Sequence, residues 1–339
     1  MGEGETNRAG IVLAGNIVVD TIKHIDRFPR PGMLASISSV SRSVGGSVPN
    51  MGLTLRRMDP TQRVVGVGLV GDDANGDWVL GEMAAVGMDV SGVARLGDDV
   101  TAFTDVMTDS GTKERTFFHA RGANAHLGVE HLDFTAYEGC GLFHIAYALL
   151  LDALDAPDPE YGTGMARALA IATEAGFVTS MDVVSEEGDR FAAIVRPSLP
   201  HCDYLIVNEI EASRIVDIPA RDGNGTLLRH NLVAICRALL GLGVRRLVAI
   251  HTPEGAWCVE ADGTVAVRPS LQLPVGYIRT TVGAGDAFCA GMLYGLHHGW
   301  DVAAAMDLGA GAAACLLGGQ GVQPLPQIQK MLAQWPRRA

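Results

Sequence analysis

What this chain has little of narrows its function before any motif is read. No uninterrupted apolar run reaches the roughly 20 residues that a membrane-spanning helix needs, so no membrane partner is expected. The N-terminus, MGEGETNRAG, is polar and acidic, and the apolar stretch IVLAGNIVV behind it is too short and wrongly flanked for a secretory signal. A cytoplasmic location is expected. Positive charge is in deficit: 26 Lys and Arg against 38 Asp and Glu leave a net charge of −12. Such a surface repels a phosphate backbone, which argues against a nucleic-acid partner. The six cysteines contain no CxxC pair and sit mostly within apolar runs, as buried free thiols do, rather than in a disulfide framework or zinc site. Internal repeats, low-complexity tracts and flexible linkers are missing as well.

What is present is the material for a large core. The 339 residues are 48% hydrophobic and include 42 glycines, enough for two domains or for one α/β unit with insertions. Short Val-, Ile- and Leu-rich runs (IVLAGNIVV, RVVGVGLVG, GLFHIAYALL, FVTSMDVV, DYLIVN, RRLVAIH) alternate with helical candidates at 47–58, 73–86, 160–176, 226–241, 284–298 and 300–317. In the third candidate Met165, Leu169 and Ala172 are spaced along one face. The alternation predicts an α/β fold with a mostly parallel central sheet, helices on both faces, and ligands at the carboxyl ends of the strands. Residues 18–42 and 100–120 break the pattern. The first reads as a strand pair around Pro29, Pro31 and Gly32, the second as a hairpin around DSGT. Four such strands, if they meet, form a small β-sheet lid on the core; the alternative is two separate surface hairpins.

Two nucleotide motifs have to be weighed. GVGLVG at 66–71 matches GxGxxG, with Asp89 where a ribose-binding acid would fall. Asp72 and Asp73 follow it directly and place carboxylates where a pyrophosphate would sit, so a dehydrogenase is disfavoured. A P-loop is absent, because Asn16 stands after the Gly10 to Gly15 spacing where lysine is required.

TTVGAGDAF at 280–288 carries the chemistry. Gly283, Ala284 and Gly285 lead without bulk into Asp286 and a glycine-punctuated helical run. Uncovered backbone N–H groups at a helix N-terminus cradle an anion. A carboxylate at the cradle's edge can accept the proton of a hydroxyl attacking a phosphate. Tight packing of a helix start, with Asp286 as a cap, is the bland alternative.

These stretches together resemble the ribokinase-like (PfkB) carbohydrate kinases along the whole chain. The resemblance implies an anion hole at Gly283, Ala284 and Gly285 with Asp286 as catalytic base. VGGSVPNMG at 44–52 is similar to the family's GG-x-x-x-N signature and GNIVVD to its opening strand, which implies sugar contacts from Gly45, Gly46, Asn50, Asp20 and Asn16. VNEIEA at 207–212 resembles the N-x-x-E motif, which gives Asn208 and Glu211 a place near the ATP phosphates and Glu211 a role toward Mg²⁺, through water. HTPEGA echoes a nucleotide loop and implies Thr252 and Gly255. SMDVVSE, with Asp182, partly resembles a motif lining the same cleft. The sequence departs from the family at Thr280, where an aspartate helps shape a monovalent-cation site, and at Ala310, where an asparagine lies near adenine. These departures leave a monovalent cation, and potassium activation with it, outside what the resemblance implies.

The implied function is an ATP-dependent kinase acting on a hydroxyl of a sugar or sugar derivative. The implied core is 10–17, 43–99 and 121–335, with the lid at 18–42 and 100–120. Arg115, His119 and Arg121 form a cationic row that suits a carboxylate or phosphate on the acceptor, or else a solvated strand face; Arg121 is counted with the acceptor site. A nucleoside kinase and a catalytically silent sugar-binding or regulatory protein of the same fold stay open as alternatives. The strand edges of the lid predict a homodimer.

Overall fold

A computed structural model describes residues 8–112, 114–186 and 188–338. The chain begins with β1 (Gly10–Gly15), leaves the core through β2 (Val18–Ile25) and β3 (Ile37–Gly45), and returns in α1 (Ser47–Met58). Then come β4 (Val64–Gly71), α2 (Ala74–Ala85), β5 (Asp89–Leu96), β6 (Phe103–Asp109) and β7 (Arg115–Ala120). The middle of the chain supplies β8 (Cys140–Ala148), α3 (Asp152–Asp155), the two-residue strands β9 (Pro157–Asp158) and β10 (Gly162–Thr163), α4 (Gly164–Glu174), β11 (Val178–Val183), α5 (Phe191–Val195) and β12 (Tyr204–Asn208). It ends with α6 (Glu209–Val216), α7 (Arg229–Gly241), β13 (Leu247–His251), β14 (Gly255–Glu260), β15 (Val265–Pro269), α8 (Ala284–His297), α9 (Val302–Leu317) and α10 (Leu325–Gln334).

The main sheet runs β15-β14-β13-β12-β11-β8-β1-β4-β5. Its strands pair in parallel from β5 to β13 and antiparallel at β14 and β15. Alternation along each strand sends side chains to two cores. Val12 and Ala14 of β1 join α4, α6 and α7 on one face, while Ile11 and Leu13 join α1, α2, α8 and α9 on the other. Each fully buried Leu or Met of α1, such as Leu55 and Met51, contributes about 1.5–3 kcal/mol. That burial fixes the helix carrying Asn50.

The second sheet has the order β3-β2-β6-β7. β2 and β6 pair in parallel, and β3 and β7 flank them antiparallel, so the two unusual segments do meet. β3 runs on to Gly45, three residues past the expected boundary at 42, because its register with β2 continues to the Val18 and Gly45 pair. Two other expectations shift. The helix expected at 160–176 begins only at Gly164, after the β9–β10 ladder, where the Thr163 hydroxyl accepts from Ala166 N–H. GVGLVG lies wholly inside buried β4, and Asp73 caps α2 by accepting from Gly76 N–H, so no phosphate turn forms there. All six cysteines are free and buried, and no helix among the described residues is long and apolar enough to cross a membrane.

Candidate active site

The site is assembled at the carboxyl ends of β8, β11, β12 and β13, against the start of α8. Gly283 is the N-cap of α8 at φ 76°, a left-handed conformation that favours glycine. This turn lets α8 begin abruptly, with Asp286 in its first turn and only 5% exposed. The helix N-terminus favours a carboxylate, but burial dominates. It pushes the Asp286 pKa up to about 7, aided by the Asp182 charge and opposed by hydrogen bonds from Asn50 and Tyr147. Asn50 Nδ2 donates to Oδ2 at 2.8 Å, and the Tyr147 hydroxyl lies 2.9 Å from both carboxylate oxygens.

Asn50 therefore joins the N-terminal signature to the C-terminal one. Sequence reading gave it a sugar contact; the structure places its amide on the expected base. Tyr147 was not singled out from the sequence, where it sits within an apolar strand run. Its position at the carboxyl end of a parallel strand is the one signal that pointed to it.

The residues expected to meet the acceptor cluster around the entry to α1. A Cβ on Gly45 would lie 2.4 Å from Asp20 Oδ2, and one on Gly46 2.4 Å from the Asn16 carbonyl. The paired glycines thus let β3 pass close enough to seat Asp20 and Asn16. Asn16 is 1% exposed, and its amide N and O are buried without a partner among the described residues, the condition of a group that awaits a ligand hydroxyl or water. Asp20, Thr104 and His119 lie in register across β2, β6 and β7. Burial raises the Asp20 pKa, with a hydrogen bond from Thr104 opposing it. His119 Nδ1 lies 3.0 Å from Thr104 Oγ1, and burial together with Arg121 lowers its pKa. The expected cationic row is therefore broken: His119 is held toward its neutral form, and Arg121 forms an ion pair with Asp152.

A cavity of about 230 Å³ has Tyr147, Asp182, Asn208, Glu211, Gly283 and Asp286 in its wall. Glu211 belongs to a capping box: its carboxylate accepts from Asn208 N–H at 2.9 Å, while Asn208 Oδ1 accepts from Glu211 N–H at 2.9 Å. Ser185 also donates to it. Burial pushes the Glu211 pKa up to about 8, with the Asp182 and Glu209 charges adding to the rise. Three buried carboxylates on one small cavity form an oxygen-rich, electron-dense surface that a hard cation such as Mg²⁺ fits. His144, Asp182 and Cys289 bring ligand atoms within 4.8 Å of one another, the last two in the wall of this cavity.

This cavity adjoins a larger one of about 480 Å³ that shares Asn208, His251 and Gly285 with it and is walled by Ile210, Phe288, Ala310 and Leu317 among others. Thr252 and Gly255 line it too. They close the turn between β13 and β14, where Thr252 N–H donates to Gly255 O at 2.8 Å. Ala310 and its neighbours make the wall apolar rather than amide-bearing, which fits a flat heteroaromatic base held by packing. Between the cavities, a Cβ on Gly285 would lie 3.3 Å from His251 Cε1. Burial lowers the His251 pKa to about 4, so this ring is neutral. From the larger cavity to the smaller, the wall passes from an apolar pocket to a glycine turn and then to a buried carboxylate.

Comparison with known proteins agrees with this geometry. The pfkB family carbohydrate kinase model matches residues 8–328. An ATP-dependent ribose-1-phosphate kinase from Halopiger xanaduensis is 25% identical over 323 residues, covering 95% of this chain and 97% of that protein. A 5-dehydro-2-deoxygluconokinase from Clostridium perfringens is 24% identical, covering 92% of this chain and 88% of its own. Ribokinase from Arabidopsis thaliana, solved with ribose and ATP, superposes with a TM-score of 0.79 at 19% identity, over 96% of this chain and 98% of that one. The chain has the ribokinase fold, belongs to the pfkB family, and is a carbohydrate kinase.

Proposed function

We propose that the protein transfers the γ-phosphate of ATP to a hydroxyl of a sugar or sugar derivative, with Asp286 as the base. The observation that carries this reading is the seating of Asp286 in the first turn of α8, three residues after the Gly283 N-cap and in the wall of the smaller cavity. Asp286 takes the proton of the acceptor hydroxyl as it attacks. The amides of the Gly283 to Gly285 turn stabilise charge on the phosphoryl oxygens, a contribution expected to dominate such reactions. Glu211 and Asn208 would hold Mg²⁺, which would supply further charge neutralisation. Thr252 and Gly255 border the adenine end.

Asp20, Asn16 and Asn50 suit a neutral polyol, because short carboxylate and amide groups impose fixed hydrogen-bond geometry on hydroxyls. The small sheet then serves as a lid that excludes water. Both β3 and β7 are open edges, and Phe117 and Phe118, on opposite faces of β7, are 57% and 51% exposed. That favours a homodimer built through the lid.

Replacing Asp286 with Asn should lower turnover on the order of a hundred- to ten-thousandfold while ATP and acceptor still bind. ADP release measured across sugars, phosphosugars, sugar acids and nucleosides identifies the acceptor. Near-normal turnover in the variant would refute the base assignment, and no activity on any acceptor would favour the silent alternative.

A further inference from the structure

The base is not open in this structure. The Tyr147 hydroxyl lies 2.9 Å from both Asp286 oxygens, and Asn50 Nδ2 takes Oδ2 as well. Tyr147 reaches that position at a backbone cost. Its φ is 65°, and two residues on, Leu149 has φ 84°, values that side-chain-bearing residues seldom adopt. Among the described residues the other non-glycine positive φ is at Asp217, the C-cap of α6. The strained backbone therefore concentrates beside Asp286, and its orientation is pinned, since Tyr147 N–H donates to Asp182 Oδ1 at 2.8 Å. Burial and the Asp286 and Asp182 charges push the phenol well above its ordinary pKa, so its oxygen is a donor. Strain maintained by surrounding contacts points to use at that place.

We propose that Tyr147 is a positioning residue that caps Asp286 against water, its hydroxyl occupying the seat that the acceptor's hydroxyl takes over. This rests on Asp286 being the base. With the cap in place, water next to a bound nucleotide cannot hand its proton to the carboxylate. Without it, water attacks the γ-phosphorus, its proton passes to Asp286, and the bond to the bridging oxygen breaks to give ADP and inorganic phosphate. An acceptor anchored at Asp20 and Asn16 has the binding energy to displace a single phenol hydroxyl; water has none. The residue thus sets the ratio of transfer to wasted hydrolysis.

The test compares wild type, Tyr147→Phe, Tyr147→Gly, Asp286→Asn and the Tyr147→Phe/Asp286→Asn double variant, reading ADP release with and without acceptor. Phenylalanine keeps the ring and the backbone conformation, and glycine accepts φ 65° without strain, so one of the two folds even if the other does not. Acceptor-independent ADP release should rise at least fivefold in Tyr147→Phe and further in Tyr147→Gly, with the acceptor KM unchanged or lower, and should return to the wild-type level or below in the double variant. Wild-type levels of uncoupled release in folded Tyr147→Phe and Tyr147→Gly would overturn the proposal, as would a rise that persists in the double variant. Near-normal coupled turnover in Asp286→Asn alone would instead overturn the base assignment, so the two failures are separable.

Discussion

Asp286→Asn should stabilise the protein at neutral and alkaline pH even as it cuts turnover. The Asp286 pKa is raised from 3.8 to about 7, chiefly by burial, so the folded state holds its proton more tightly than the unfolded chain does. Between those two values the unfolded carboxyl is ionised while the folded one stays protonated, so stability falls as pH rises. Above about 7 the loss is complete. At about 1.4 kcal/mol per pH unit the full window corresponds to about 4 kcal/mol, an upper bound because the site relaxes around the charge. Asparagine keeps the shape: its carbonyl can accept from Asn50, and its NH₂ can donate to the Tyr147 oxygen. Urea unfolding of the ligand-free protein is the assay, run on both proteins at about pH 5.5 and about pH 8. The variant's advantage should be larger at the higher pH by about 2 kcal/mol. An advantage that is absent, or that does not grow between the two pH values, would refute the burial argument.

Gly285→Ala places a methyl group 3.3 Å from His251 at the junction of the cavities, and an obstruction of about 1.4 kcal/mol raises the KM for ATP about tenfold; steady-state kinetics with unchanged acceptor KM is the expected pattern, and an unchanged ATP KM would count against the passage. Gly45→Ala would put its Cβ 2.4 Å from Asp20 Oδ2 and displace that carboxylate, so the acceptor KM should rise at least about tenfold with the ATP KM intact. Equal effects on both substrates would show that Asp20 does not serve the acceptor. Phe117→Ser with Phe118→Ser should leave a monomer by light scattering where the parent is a dimer, and a parent that is already monomeric at micromolar concentration removes the lid-mediated dimer.

The parallel α/β core is dictated by local sequence, because strand runs followed by helix-length amphipathic segments have few other ways to bury both faces. Local sequence also dictates the glycine turn before Asp286 and the pair Gly45 and Gly46, where backbone geometry and close approach leave little choice of residue. The four lid strands were legible one by one, but their joining through the parallel β2–β6 pair depends on residues some 84 positions apart along the chain and is settled by tertiary contacts alone. The same holds within the site. Nothing local to Asn50 or Arg121 indicates that one donates to Asp286 and the other pairs with Asp152; packing alone brings them together. Tyr147 read as one more strand residue until the fold turned its backbone and set its hydroxyl on the carboxylate. Local sequence specifies which backbone conformations are allowed; which buried polar group finds which partner is decided when distant segments desolvate one another, and here that decision shapes the surroundings of Asp286.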